Sequence, residues 1–347
     1  MHFFHRTITV VSFCFLTMSA AAQVGEAPDP LFQDNETLQV MITAPLTTLV
    51  RERPTEDYLP GTFQFTEADG SEVKLDLEIR TRGNFRHETC DYPPLRLNFK
   101  KSQTAGTLFD EQDKLKLVIH CDRSERYEQT VLREYLAYRI LNVLTDMSFR
   151  VRLLRVNYVN NENNGDGQVR YGFLIEHKSR LARRFGMKEF EIERTTPSAI
   201  QPDRLNLTSV FEFLIGNTDF SPVAGPAGDE CCHNYVLFRK GDAPVIAIPY
   251  DFDQSGLVDA PYATPNERFR IRNVRQRLYR GRCINNGYLE DSLRQVRDRR
   301  DLIYALIEDQ EGLQPRVRKQ LVKYIDDYYD IVDDPDKVRK KIIDRCI

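Results

Sequence analysis

Between Leu38 and His177 the apolar residues recur mostly at every second position, the spacing of strands with one buried and one wet face. Thr62-Phe63-Gln64-Phe65-Thr66, a turn at Asp69-Gly70, and then Val73, Leu75, Leu77 and Ile79 predict a hairpin. Leu95, Leu97 and Phe99 alternate again, as do Leu115 and Leu117 ahead of Val118-Ile119. A second hairpin is expected from residues 151–159 and 169–176, joined by the polar loop 160–167. One helix interrupts this pattern. Val131, Leu132, Tyr135, Leu136, Ile140 and Val143 follow helical spacing and leave Arg133, Glu134 and Arg139 for the other face.

Beyond His177 the pattern turns helical with long loops. Residues 205–215 form a short apolar helix stopped by Gly216, and residues 245–249 a brief apolar strand. Amphipathic helices follow near 292–309, 315–329 and 335–345. A strand-rich first half and a helix-rich second half, without strand–helix alternation, predict an α+β protein in two lobes. The first lobe is expected over residues 23–176 around an antiparallel sheet, and the mainly helical second over 177–347.

The first two dozen residues have another character. Arg6, the apolar run 7–20 and Ala20-Ala21-Ala22 before Gln23 make a secretory signal peptide over residues 1–22, cleaved after Ala22. The run is too short for a membrane anchor, so a secreted or periplasmic protein without a transmembrane segment is expected. Six cysteines then remain: Cys90, Cys121, Cys231, Cys232, Cys283 and Cys346. An even number in an oxidising compartment indicates disulfides. Cys90 and Cys121 flank strands that would be antiparallel neighbours, which puts them within bridging distance. Cys231 and Cys232 are vicinal and more easily pair outward, with Cys283 and Cys346 as candidate partners and the pairing among these four left open. The formal charge is only −3, from 49 Lys+Arg against 52 Asp+Glu, which argues against a nucleic-acid binder.

Candidate chemistry gathers between Gly216 and Ala263, in GNTDFS (216–221), HNYVLF (233–238) and IPYDFDQSG (248–256). Asp219 follows a helix stop, Asn234 opens a strand, and Asp251 and Asp253 follow one. Hard oxygen donors at the ends of short strands suit Mg²⁺ or Mn²⁺. The order Asp, Asn, Asp is that of kinase-type phosphoryl transfer, where the first positions the acceptor hydroxyl and the other two hold metal. The arginine-rich run 268–282 could receive an acidic acceptor, but a solvated face balancing the acidic 326–336 region is the simpler reading.

The ordered set Arg82-Gly83-Asn84, PPLRLNF, LREYLAYRI, YGFLIEH, FLIGNTD, HNYVLF and IPYDFD resembles the CotH family of atypical, protein-kinase-like proteins. The resemblance implies a two-lobed kinase-like fold and phosphoryl transfer from ATP, with Mg²⁺ or Mn²⁺, to a protein hydroxyl. It makes Asp219 the catalytic aspartate and Asn234 and Asp251 metal ligands, with Asp253 beside them. It places Arg82, Gly83, Asn84, Arg96 and Glu176 around the nucleotide. Where such proteins carry lysines in the strand after the glycine motif, this chain has Arg96 and Asn98, with Lys100 and Lys101 just beyond. The second expectation, from another class, is a degenerate, non-catalytic surface or envelope binding protein on the same scaffold.

Overall fold

The computed structural model describes residues 25–163, 167–226 and 228–347. The signal segment 1–22 lies outside the described residues. Ten strands and ten α-helices run in the order β1 (Leu38–Ala44), α1 (Leu46–Glu52), β2 (Leu59–Thr66), β3 (Glu72–Thr81), α2 (Phe85–Thr89), β4 (Leu95–Asn98), α3 (Lys101–Thr104), β5 (Lys114–Val118), α4 (Glu125–Leu144), β6 (Val151–Asn160), β7 (Gln168–Ile175), α5 (Lys178–Arg184), β8 (Lys188–Glu189), α6 (Pro202–Ile215), β9 (Tyr235–Arg239), β10 (Ile246–Pro249), α7 (Leu289–Asp298), α8 (Arg300–Asp309), α9 (Pro315–Val332) and α10 (Pro335–Lys341).

Seven strands close into a barrel in the order β1-β2-β3-β4-β5-β7-β6. Every pair is antiparallel except the closing one, in which β1 runs parallel to β6 from Leu38↔Leu154 to Ala44↔Asn160. This overturns the expected two-lobed kinase-like fold with an open antiparallel sheet. The molecule is a closed, mixed seven-stranded barrel with helices and a separate three-stranded sheet, β10-β9-β8. The physical reason is that alternation reports which face of a strand is buried, not which distant strand its edge will meet.

The barrel interior is apolar. Val40, Ile42, Phe63, Phe65, Leu75, Leu77, Ile79, Leu97, Leu115 and Leu117 alternate inward, and Phe63 lies 5.0–5.4 Å from the rings of Phe99 and Phe109. A second, larger core lies between the outer faces of β6 and β7, α4 and the later helices. There α4 is buried on nearly all sides, so Arg133 and Glu134 do not lie on a wet face. The single helix expected over 292–309 is two, because Arg299 leaves helical geometry between α7 and α8. Among the described residues, no helix is long and apolar enough to cross a membrane.

Cys90 and Cys121 are bonded across the β4–β5 end, with Cα atoms 4.7 Å apart. The outward pairing of the other four is corrected. Cys231 bonds its neighbour Cys232, and Cys283 bonds Cys346 across a separation of 63 residues.

Candidate functional site

The site begins where α6 stops. Gly216 takes φ 67°, a left-handed turn that lets the chain reverse, and a Cβ there would collide with the Tyr324 hydroxyl. The following Asn217 accepts the Asp219 N–H through Oδ1 at 2.9 Å. Arg280 donates to the carbonyls on both sides of Asp219, Thr218 O at 2.8 Å and Phe220 O at 2.6 Å. The aspartate backbone is thus fixed from both flanks. Arg280 belongs to the arginine-rich run, and so do Arg277, which donates to Leu214 O, and Arg275, which pairs with Asp259. The solvated-face reading holds for the exposed Arg268, Arg270 and Arg272, and fails for these three.

Two side chains hold the Asp219 carboxylate. His233 Nε2 lies 2.9 Å from Oδ1, and Asn234 Nδ2 donates to the Asp219 carbonyl at 2.6 Å and to Oδ2 at 3.2 Å. The Asp219 hydrogen bond pushes the His233 pKa up, with burial opposing it. Asn234 spends its nitrogen on Asp219, and its Oδ1 accepts no hydrogen bond among the described residues. It sits at φ 56°, which asparagine tolerates better than most residues.

The pairing Tyr235↔Pro249 sets Asn234 beside the end of β10, where Tyr250 N–H donates to Asn234 O at 3.0 Å. Asp251 follows at φ 63°, its N–H bonded to the buried Tyr138 hydroxyl at 2.9 Å. Its half-buried carboxylate has no hydrogen-bond or ion-pair partner among the described residues. Asp219 and Asp251 share one electrostatic neighbourhood, since both act on His233. Asp253 lies deeper, 5% exposed, and accepts the Tyr262 hydroxyl at 3.1 Å. Glu134, on α4, is as deeply buried and lies 3.4 Å from Arg86. Burial, then Asp251, raises the pKa of Asp253; burial, Asp253 and Asp251 raise that of Glu134 against the pull of Arg86. Burial opposes the Arg86 charge too, but Tyr262 and these acids outweigh it, so the Arg86 pKa lies above the usual arginine value.

The opposite wall is cationic and comes from the barrel. Arg96 on β4 and Lys116 on β5 are register partners that face outward, since Leu95, Leu97, Leu115 and Leu117 face in. Lys116 Nζ stands 4.5 Å over the Tyr250 ring. Burial and then Arg82 push its pKa down to about 7, while Asp251 pulls the other way. Burial lowers the pKa of Arg82, and Asp251 is the first group to counter it. Arg82 Nε donates to Leu95 O at 3.2 Å. Gly83, at φ 88°, has open space where a Cβ would stand, and Asn84 is exposed at the start of α2. A cavity of about 320 Å³ lies against Arg96 and Lys116, lined also by Phe149, Ile175, Val236, Tyr250 and the Cys231-Cys232 pair; Arg82, Asp219, Asn234 and Asp251 are not among its lining residues.

Glu176 also lines this cavity, but its carboxylate is engaged by Arg184 at 2.8 and 2.9 Å and by the Arg150 N–H at 3.1 Å. Lys100 and Lys101 stand apart on the exposed α3 turn. Sequence reasoning missed Lys116, Tyr138, Arg280 and the grip of His233 on Asp219. None carried a distinguishing signal: Lys116 takes the outward phase of KLKLV, as any solvated lysine would.

A divalent cation fits this donor set only in part from the protein. Among the described residues, no group of three or more His, Cys, Asp or Glu side chains could hold a metal ion. Asp251 and the Asn234 amide oxygen offer two oxygens, and Mg²⁺ commonly takes one or two carboxylates and completes its shell with phosphate and water. The unpaired Asp251 beside the buried Asp253 is the kind of negative cluster that a cation relieves. Compared with known proteins, the chain matches no family model and no curated protein.

Proposed function

We propose that the chain is an exported, CotH-like enzyme that transfers a phosphoryl group from ATP to a protein hydroxyl with Mg²⁺ or Mn²⁺. The observation that carries the reading is the meeting of Asp219, Asn234 and the unpartnered Asp251 in one electrostatic neighbourhood, next along the chain to Tyr235 and Tyr250, which line a cavity. That cavity is lined by Lys116 and Arg96, and the Asp251 charge acts on both Lys116 and the nearby Arg82. The reading rests on these side chains and not on a two-lobed frame. The bound cation would neutralise phosphate oxygens and polarise the transferred group. Asn234 and Asp251 would hold it. Asp219, oriented by His233 and Asn234, would accept the proton of the acceptor hydroxyl as its oxygen bonds to the γ-phosphorus and the β–γ P–O bond breaks, with ADP as the leaving group. Lys116 and Arg96 take the phosphate chain, and the slot by Phe149, Val236 and Tyr250 takes the base. The three disulfide pairs agree with an oxidising destination.

The test is thermal melting of the mature protein with ATP and Mg²⁺ or Mn²⁺, beside intact-mass detection of autophosphorylation. Asp251→Asn should remove the metal-dependent stabilisation by nucleotide. Asp219→Ala should keep that stabilisation and lose the added phosphate. A wild-type protein that shifts with no nucleotide and metal combination refutes the proposal.

A further inference from the structure

We propose that the end of the barrel next to α1 is a second binding site, built for a small planar organic acid and separate from the cavity at Lys116. A cavity of about 690 Å³ opens there, within the size range of small-molecule sites, and shares no lining residue with the other. Its inner wall is apolar, from Leu46, Leu49, Val50, Leu95 and Ile119. One group in it is out of place. His120 is 4% exposed, and neither of its ring nitrogens has a hydrogen-bond partner. The Tyr158 hydroxyl, also in the lining, is buried and unpartnered too.

Buried polar atoms are almost always satisfied, and leaving one unmade costs about 1–3 kcal/mol. Two such groups lining one roomy cavity indicate that a ligand completes them. Burial holds the His120 pKa down at about 4, so near neutral pH the ring is uncharged and offers one donor and one acceptor. The shape follows from the rings. Tyr92 and Tyr158 pack on His120 at centroid distances of 5.1 and 6.3 Å, tilted by 48° and 65°, so this side of the cavity is an aromatic wall against which a flat body can lie. The charge follows from the rim, where Arg51, Arg53 and Arg123 meet Asp91 and Arg51 is paired with Glu52 at 2.8 Å. The Arg53 guanidinium is engaged by the His87 and Cys90 carbonyls. Arg123 uses only Nε, toward the Tyr92 hydroxyl at 2.7 Å, and its two terminal nitrogens can fork onto an acid group at the mouth. The Cys90–Cys121 bond adjoins both Asp91-Tyr92 and His120, and Tyr92 N–H donates to Cys121 O at 3.1 Å, so the two walls are pinned together.

The experiment titrates the oxidised, mature chain with 1-anilinonaphthalene-8-sulfonate and, in parallel, with its uncharged parent N-phenyl-1-naphthylamine, following fluorescence. One saturable site for the sulfonate is expected, at least about fivefold tighter than for the neutral dye. Arg123→Gln, at an exposed position, should erase that preference and leave the neutral dye unchanged. Val50→Trp, which fills the cavity from a half-exposed helix position, should remove both. Retention of the wild-type melting temperature shows that each variant is folded. Non-saturable binding, equal affinity for the two dyes, or wild-type binding by Val50→Trp overturns the proposal.

Discussion

The inside of the barrel and the ground beneath its cleft solve opposite problems. Inside, Phe63, Leu77, Leu97 and Leu115 meet only apolar neighbours, and burial is repaid directly by the hydrophobic effect. Beneath the cleft, Arg86, Glu134 and Asp253 are buried and Lys116 is half-buried, and for all but Arg86 desolvation outweighs what the partners return. A fold gains nothing from such a cluster that well-packed leucines would not give.

That contrast breaks most sharply if the barrel interior proves tolerant. Phe63→Ala, removing a fully buried ring packed against Phe65, Phe99 and Phe109, should cost about 3–5 kcal/mol in chemical denaturation. Replacing Cys90 and Cys121 together by serine should cost about 2–4 kcal/mol, since the bond closes a separation of 31 residues.

Glu212 sharpens the comparison. It is 1% exposed on α6, beneath the Asp219 loop, and Asn217 and Tyr235 adjoin it without closing a well-formed hydrogen bond. Burial pushes its pKa up from the usual 4.5 to about 8. A raised value means that its stabilising share is complete below pH 4.5 and disappears as pH rises through 8. Wild-type stability should therefore fall between pH 5 and 8, and Glu212→Gln should flatten that fall by about 2 kcal/mol.

Lys116 gives the smallest effect and the opposite sign. Its folded pKa lies below the usual 10.5, so its charge burdens the ligand-free fold fully below pH 7 and less toward pH 10.5. Lys116→Met should stabilise the ligand-free protein at pH 6 by about 1 kcal/mol, because the site is half-buried and partly screened. The same variant should lose stabilisation by ATP. A destabilised Lys116→Met would place this lysine with the supporting residues instead.

Much of the strand pattern was legible because one-sided burial writes itself as alternation. The hairpin read from Thr62 to Ile79 is β2–β3, with Phe65 opposite Val73. The Cys90–Cys121 bond followed from adjacency of two strands. Closure was not legible, because nothing in LQVMITA says that its free edge will meet β6. Nor was the burial of Arg133 and Glu134, since helical spacing marks an apolar stripe but cannot reveal that the far side is covered as well. At the cleft, Asp219, Asn234 and Asp251 stood out by residue type and order. Lys116 did not, since one lysine in an amphipathic strand looks like any solvated charge until the opposing wall is known.

The parallel seam between β1 and β6 also dictates a timetable. Leu38 leaves the ribosome more than a hundred residues before Leu154, a delay on the order of ten seconds at ordinary elongation rates. Throughout that interval the nascent chain carries an apolar strand with one unpaired edge, open to mispairing with other newly made copies. Anything that holds the young polypeptide extended until β6 emerges should therefore raise the yield of the finished molecule.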